Sequence, residues 1–365
     1  MNKYILSVSC ALLFSGAWAQ EIFHSIVLRQ TDGTVQTLPL DKVQSISFST
    51  EASVQQCKWY HSLENPGIAD YLRDFDYNPD NYNYHRIFQY RGEPYLDEHQ
   101  DWPYGVTLGD TTYYNLIPGQ QYQLQPLLHG QLEPAISIQT LGQLRMLRTE
   151  GIDNVRDLGG WPTIDGHRLK YGLLFRGTEL NTKLSSTNSA LHSAHQITET
   201  DRDLLLNELH IGAELDLRGS SEIPSPISAL GKEVVYRNIN ISFTDIDTPA
   251  NHQALVDCLR FLITQLEAGR PTYIHCVWGA DRTGLLCMLL EGLIGLKQSD
   301  IDKEYELTSF TGNSRFRTNT NYLSALQKVT SLPGETLQKK FRSWWLRCGA
   351  TEAELDTFVS LVSIH

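Results

Sequence analysis

The segment that most constrains this 365-residue chain is Thr272-Tyr273-Ile274-His275-Cys276-Val277-Trp278-Gly279-Ala280-Asp281-Arg282-Thr283-Gly284. Its first four residues read as a buried strand. Leu285 and the nine residues after it are apolar nearly all round and read as a buried helix. Between strand and helix, a cysteine and an arginine are separated by five residues. A connection this short must curl. Curled with its N–H groups inward, it makes an anion nest at the positive end of a helix. That field favours a thiolate, as it does for thiols at helix N-termini generally. Arg282 offers a planar fork of donors suited to phosphoryl oxygens. Val277, Trp278, Gly279, Ala280, Asp281 and Arg282 are therefore the expected phosphate-binding loop, and Cys276 the expected nucleophile. Thr283 is expected to donate its hydroxyl to the sulfur when sulfur becomes the leaving group, and His275 to orient the loop from behind. Chemistry of this kind passes through a cysteinyl phosphate released by water. It calls for no metal and no organic cofactor, and no CxxC or His-x-His spacing points to a metal site.

Strands and helices alternate around this segment. Ala213 to Leu217, Val234 to Tyr236 and Thr272 to His275 read as strands. Leu255, Cys258, Leu259, Leu262 and Leu266 recur at helical spacing, with Gly269 as the stop. Thr351-Glu352-Ala353-Glu354 reads as a capping box opening the last helix. The pattern predicts an α/β domain over residues 146–365, with a central, mostly parallel sheet flanked by helices.

These residues resemble the cysteine-dependent phosphatase superfamily, which includes tyrosine and dual-specificity phosphatases. Asn154 to Gly160 (Asn-Val-Arg-Asp-Leu-Gly-Gly), Gly172 to Gly177, and Asp216-Leu217-Arg218 with Glu222 resemble its bacterial tyrosine-phosphatase-like branch. The resemblance runs from about Gly151 to Ile301, with a weaker tail. It implies a phosphatase acting on a phosphorylated substrate, either a phosphotyrosine protein or a small phosphomonoester, with phosphate, sulfate or vanadate as active-site anions. Two departures stand out. Asp281 occupies a place where many relatives have Gly; in the bacterial branch an Asp there is common and is thought to act as general acid. Ala280 replaces the Lys of many branch members, which argues against a multiply phosphorylated inositol as substrate. The general acid is open among Asp281, Asp245 and Asp247, with Asp281 taken first. An inositol-phosphate or phosphoinositide phosphatase is the second reading, and a module that holds phosphate without turning it over is the third.

Other residues have plainer readings. Arg156, Arg176 and Asp157 line the pocket or form an Arg–Asp pair tying the loop to the sheet. Arg218 and Glu222 read as a structural pair. Trp278 packs under the loop or stands at the pocket rim. Residues 185–195 read as a polar surface loop ending at His195. Arg315 and Arg317, like Arg342 to Arg347, read as solvated basic faces or as groups that approach phosphate.

The N-terminal half differs. Residues 1–19, with Lys3, an apolar run and Ala17-Trp18-Ala19, read as a signal peptide, so the protein is expected to be exported to the periplasm, the cell surface or the medium. Five cysteines then remain, odd in number and sparse, which is not a disulfide scaffold. Residues 20–50 read as a hairpin around Asp32-Gly33, followed by a strand at Val43, Ile46 and Phe48. Eleven of the 17 tyrosines fall between Tyr60 and Tyr122, among Gly, Pro, Asn and Asp, which points to an all-β domain over residues 51–145. There, Leu116-Ile117-Pro118-Gly119 before Tyr122 resembles the tyrosine corner of fibronectin type III domains and implies an immunoglobulin-like sandwich. Such a domain would bind protein or glycan, or serve as a plain β core. With 30 basic against 42 acidic residues the net charge is −12, which argues against a general nucleic-acid binder. No apolar run beyond the N-terminus is long enough to span a membrane.

Overall fold

The computed structural model describes residues 25–29, 35–39, 55–58, 105–108, 111–125, 127–141, 145–181, 195–223, 226–308 and 315–364. Contacts divide the chain into a unit of residues 1–54 and a unit of residues 55–365. In the first, β1 (Ser25–Arg29) and β2 (Val35–Pro39) pair antiparallel, with Arg29 opposite Val35. The expected signal peptide, and the strand expected near Phe48, lie outside the described residues.

The second unit begins with short strands. These are β3 (Gln55–Lys58), β4 (Gly105–Leu108), β5 (Thr111–Tyr114), β6 (Gln121–Leu124), β7 (Leu127–Leu128), β8 (Gln131–Leu132) and β9 (Ile136–Leu141). They form a three-stranded sheet in the order β3-β9-β6 and two hairpins, β4-β5 and β7-β8. The Ile117 N–H donates to the Tyr122 hydroxyl at 2.8 Å.

The rest is α/β. The strands are β10 (Arg145–Met146), β11 (Arg156–Asp157), β12 (Arg168–Leu169), β13 (Leu174–Gly177), β14 (Ala213–Asp216), β15 (Val235–Asn238), β16 (Thr272–His275) and β17 (Ser363–Ile364). The helices are α1 (Glu199–Asp203), α2 (Pro249–Glu267), α3 (Asp281–Ile294), α4 (Gln298–Glu306), α5 (Thr320–Thr330), α6 (Leu337–Cys348) and α7 (Glu352–Val362). Six strands form the central sheet in the order β10-β11-β13-β16-β14-β15. The pairings among β13, β16, β14 and β15 are parallel, while β10 and β11 join antiparallel, so the sheet is mixed, with three parallel pairings and two antiparallel.

The two-residue period of the strands divides the core. Leu174, Leu215 and Ile274 point to one face, under α2, α3, α6 and α7. Phe175 and Tyr273 point to the other, where Leu204, Leu205 and Leu209 from the turn after α1 cover them. Helix α3 is buried on all sides, as its sequence predicts: every residue from Thr283 to Ile294 is buried. The capping box at Thr351 and Glu354 is formed. Register fixes the site, because His275 ends β16 flanked by Gly177 of β13 and Asp216 of β14. Among the described residues no helix is long and apolar enough to cross a membrane.

Candidate active site

Cys276 to Ala280 bridge β16 to α3, and their carbonyls are tied down one after another. The Cys276 carbonyl lies 3.1 Å from His275 Nδ1. The Val277 carbonyl accepts from the Glu179 N–H at 3.0 Å. The Trp278 and Gly279 carbonyls accept from Asn154 Nδ2 at 3.1 and 3.2 Å. Gly279 accepts again from Arg176 Nη2 at 2.5 Å. The Ala280 carbonyl accepts from the Gly284 N–H at 2.8 Å, closing the first turn of α3. Each peptide is planar and trans, so its N–H points opposite to its C=O. Five carbonyls held by the framework therefore turn the N–H groups of Val277 to Asp281 to the other side, into one concavity. Helix α3 has no side-chain cap at its N-terminus, so that end faces the concavity with its amides and its positive dipole.

Glycine at position 279 is a requirement of this curl. Its φ is +59°, and an added Cβ would lie 2.1 Å from the Gly177 carbonyl oxygen. The loop thus rests directly on the backbone at the end of β13.

Behind the loop lies a buried charge network. Glu304 of α4 receives Arg156 Nε at 2.6 Å and Arg176 Nη1 at 2.5 Å. Burial opposes ionisation of Glu304, but the two guanidinium groups outweigh it and hold its carboxyl below the usual range. Arg156 and Arg176 are thus neither pocket-lining nor paired with Asp157. Asp157 pairs with Arg145 at 3.0 Å, and the carboxylate between the two arginines comes from a helix 128 and 148 residues further along.

His275 is fully buried, with Nε2 3.0 Å from Glu214 Oε1. Burial opposes its charge, but Asp216 and Glu214 prevail and raise its pKa, and both ring nitrogens face acceptors, the Cys276 carbonyl and the Glu214 carboxylate. The contact of Nδ1 with the Cys276 carbonyl sets the ring against the loop backbone. Asp216 is held down to about 2, against the effect of burial, by His275 and by Arg218. Glu214, Asp216 and His275 bring ligand-type atoms within 4.8 Å of one another. Those atoms are engaged by Arg218, Tyr236, Ser228 and His275 itself.

Cys276 is 3% exposed, and the positive charges of Arg176, Arg282 and Arg315 all lie within electrostatic reach of its sulfur. Arg282 is held in a fork by Glu222, Nη1 to Oε2 at 2.5 Å and Nη2 to Oε1 at 2.9 Å. That hydrogen bond, foremost, keeps the Glu222 carboxyl below its ordinary range. The Glu222 carboxylate therefore serves Arg282, while Arg218 reaches only the Glu222 backbone carbonyl, at 3.4 Å, and pairs with Asp216 and Glu179 at 2.7 Å each. Thr283 Oγ1 is buried and makes no hydrogen bond among the described residues, so the expected bond to sulfur is not made in this state of the loop.

The three acid candidates part company. Asp281 opens α3 inside the loop, where Arg315 donates to both its oxygens at 2.7 Å. Asp245 is exposed and paired with Lys328 at 2.7 Å. Asp247 accepts from Arg347 and faces His252. Beside Asp281 lies an open cleft lined by Phe243, Leu285, Tyr305, Asn321 and Tyr322. Trp278 is half-buried and meets the ring of His195 edge-on at 4.7 Å. His195 is buried rather than on a surface loop, and burial pushes its pKa down to about 4. Arg315 and Arg317 do not form a solvated face: Arg317 is buried against Glu306 and Asp302. Asn154, Glu179 and Glu304 were not singled out from sequence as supports of the loop. The first two stand in or beside quoted motifs, whereas Glu304 has no local signal.

A family model described as the tyrosine phosphatase family matches residues 147–355, and the chain belongs to that family. A protein of Cupriavidus necator named for an inferred tyrosine-protein phosphatase activity is 25% identical over 193 residues, covering 47% of this chain. The match spans 65% of that relative's length. Among solved structures, P. aeruginosa TpbA is similar at 16% identity and a TM-score of 0.32, over 48% of this chain and 90% of that one. The core catalytic domain of the S. cerevisiae PP-IP phosphatase is similar at 17% identity and a TM-score of 0.28, over 47% and 93%.

Proposed function

We propose that this chain is an exported cysteine-dependent phosphomonoester hydrolase, with aryl esters of the phosphotyrosine kind as its leading substrate class. The observation that carries the reading is the run of five outward-held carbonyls between Cys276 and α3, which leaves the opposite N–H groups to a tetrahedral anion. The Cys276 thiolate attacks phosphorus. Arg282, aimed by Glu222, binds two phosphoryl oxygens, and the loop amides spread the equatorial charge. Asp281 gives its proton to the leaving oxygen. Water then attacks the cysteinyl phosphate, with Asp281 taking its proton, and sulfur leaves. Asp281 is preferred over Asp245 and Asp247 because it alone of the three stands in the loop. A polyphosphorylated inositol ring is the second reading; Arg315 favours it by returning a cation to the place where Ala280 removes one.

The finer architecture is part of the same reading. Residues 51–145 are taken as a fibronectin type III-like domain, supported by the hydrogen bond that Tyr122 accepts from Ile117, and as a surface for protein or glycan. Export rests on the sequence of residues 1–19.

The test is phosphate release by the reduced protein, beside Cys276→Ser, in the presence of EDTA. The substrates are an aryl phosphate, a phosphotyrosine peptide, a phosphoserine peptide and inositol hexakisphosphate. Cys276-dependent turnover led by the aryl phosphate and the phosphotyrosine peptide is expected. Binding without turnover by a folded, reduced protein would replace the hydrolase with a phosphate-holding module.

A further inference from the structure

Two Arg–carboxylate forks flank the loop, and they differ in what they tie up. The Arg282–Glu222 fork aims a phosphate ligand. The Arg315–Asp281 fork occupies the residue read above as the general acid. Arg315 Nε reaches Asp281 Oδ1 and its Nη2 reaches Oδ2, both at 2.7 Å. A guanidinium donates only. With both carboxylate oxygens accepting from Arg315, the closed fork occupies the side of Asp281 that faces the guanidinium, and Asp281 cannot give a proton along that side until the fork opens. The pair is also accessible, its two side chains being 21% and 24% exposed. Solvent reaches both partners, so an incoming anion can approach the guanidinium without unfolding the loop. Arg315 lies within electrostatic reach of Cys276, and its partner Asp281 lines the cleft beside the loop. An anion beside the scissile phosphate is the natural competitor for such a guanidinium.

We propose that Arg315 is the specificity residue of this site, binding a second anionic group, phosphate or carboxylate, on the substrate. The proposal rests on Asp281 being the acid. As Arg315 moves onto that group, Asp281 is released and takes a proton from solvent. The S–P bond then forms as the ester P–O bond breaks; the electron pair goes to the leaving oxygen, which receives the proton from Asp281. A substrate without the second anion leaves the fork closed and reacts slowly. The device also restores, from a distant segment, the cation missing at Ala280.

The test compares phenyl phosphate, 3-carboxyphenyl phosphate and resorcinol bisphosphate as substrates of the full chain, its Arg315→Ala and Arg315→Lys variants, and Cys276→Ser. In the unmodified protein the two second-anion substrates should exceed phenyl phosphate in kcat/KM by about tenfold or more, the factor expected of a charge-assisted hydrogen bond. Their order tells carboxylate from phosphate. Arg315→Ala, checked for folding by its thermal transition, should bring the ratio to near one. Arg315→Lys keeps the charge but not the planar fork, and should fall between. Cys276-dependent turnover of phenyl phosphate with no advantage for a second anion would overturn the Arg315 proposal and leave the hydrolase reading standing, as would an advantage that survives Arg315→Ala. Failure to hydrolyse all three would overturn the hydrolase reading, and this proposal with it.

Discussion

Glu291 sits on α3, 1% exposed, and neither carboxyl oxygen makes a hydrogen bond among the described residues. Burial, followed by the nearby negative Glu304, pushes its carboxyl well above the ordinary range, against the pull of Arg176 and Arg156. The folded protein therefore holds the Glu291 proton to higher pH than the unfolded chain does. The folded state then binds the extra proton, so this residue's contribution is full below the unfolded pKa and is lost as pH rises towards the folded one. Glu291→Gln imitates the neutral form. Urea denaturation at pH 5 and pH 8 should show a smaller loss of stability between the two for Glu291→Gln than for the unmodified protein; equal losses would show that Glu291 is ionised when folded. At this scale the sequence was most legible where one residue type is required by the backbone. Gly279 falls in that group, and Cys276 and Arg282 were legible through the chemistry of their side chains and their spacing. It was least legible for pairings: the sequence shows that Glu222 is acidic, but not that it faces Arg282 across 60 residues of chain.

Among the elements, α3 was legible because the apolar run from Leu285 to Ile294 calls for burial, and β16 because strand-forming residues lead straight into the loop. Helix α4 was not. Its sequence, Gln-Ser-Asp-Ile-Asp-Lys-Glu-Tyr-Glu, is polar at most positions, which reads as a solvated helix, yet all seven residues from Asp300 to Glu306 are buried. The explanation is Glu304, which brings a carboxylate to two buried arginines, one of which holds the loop carbonyl of Gly279. Removing one partner of such a cluster strands buried charge, at about 3–5 kcal/mol. Glu304→Gln should accordingly lower the unfolding free energy by about that much and reduce loop-dependent activity with it. A variant of ordinary stability would mean that the arginines find other partners.

For the whole molecule, the boundary near residue 145 was read from a change in composition, and the contact that spans it was invisible there. Asn115, with φ +59°, follows β5 and reaches the central sheet. Its side-chain oxygen accepts from the Arg148 N–H at 2.7 Å, and its carbonyl accepts from Arg145 at 2.9 and 3.1 Å. Arg145 in turn holds Asp157 on β11. Left-handed backbone suits asparagine better than most residues. Asn115→Ala should lose both that fit and the Arg148 bond, about 1–2 kcal/mol, read as a lower thermal midpoint of the full chain. An unchanged midpoint would show that this junction contributes nothing.

All of these parts converge on one atom, the Cys276 sulfur. The direct measurement is a rapid acid quench of the reduced protein during turnover of an aryl phosphate, followed by mass analysis of the Cys276 peptide. A mass gain of one phosphoryl group on Cys276, absent from Cys276→Ser together with turnover, is the predicted result. Sustained turnover by Cys276→Ser would contradict the account.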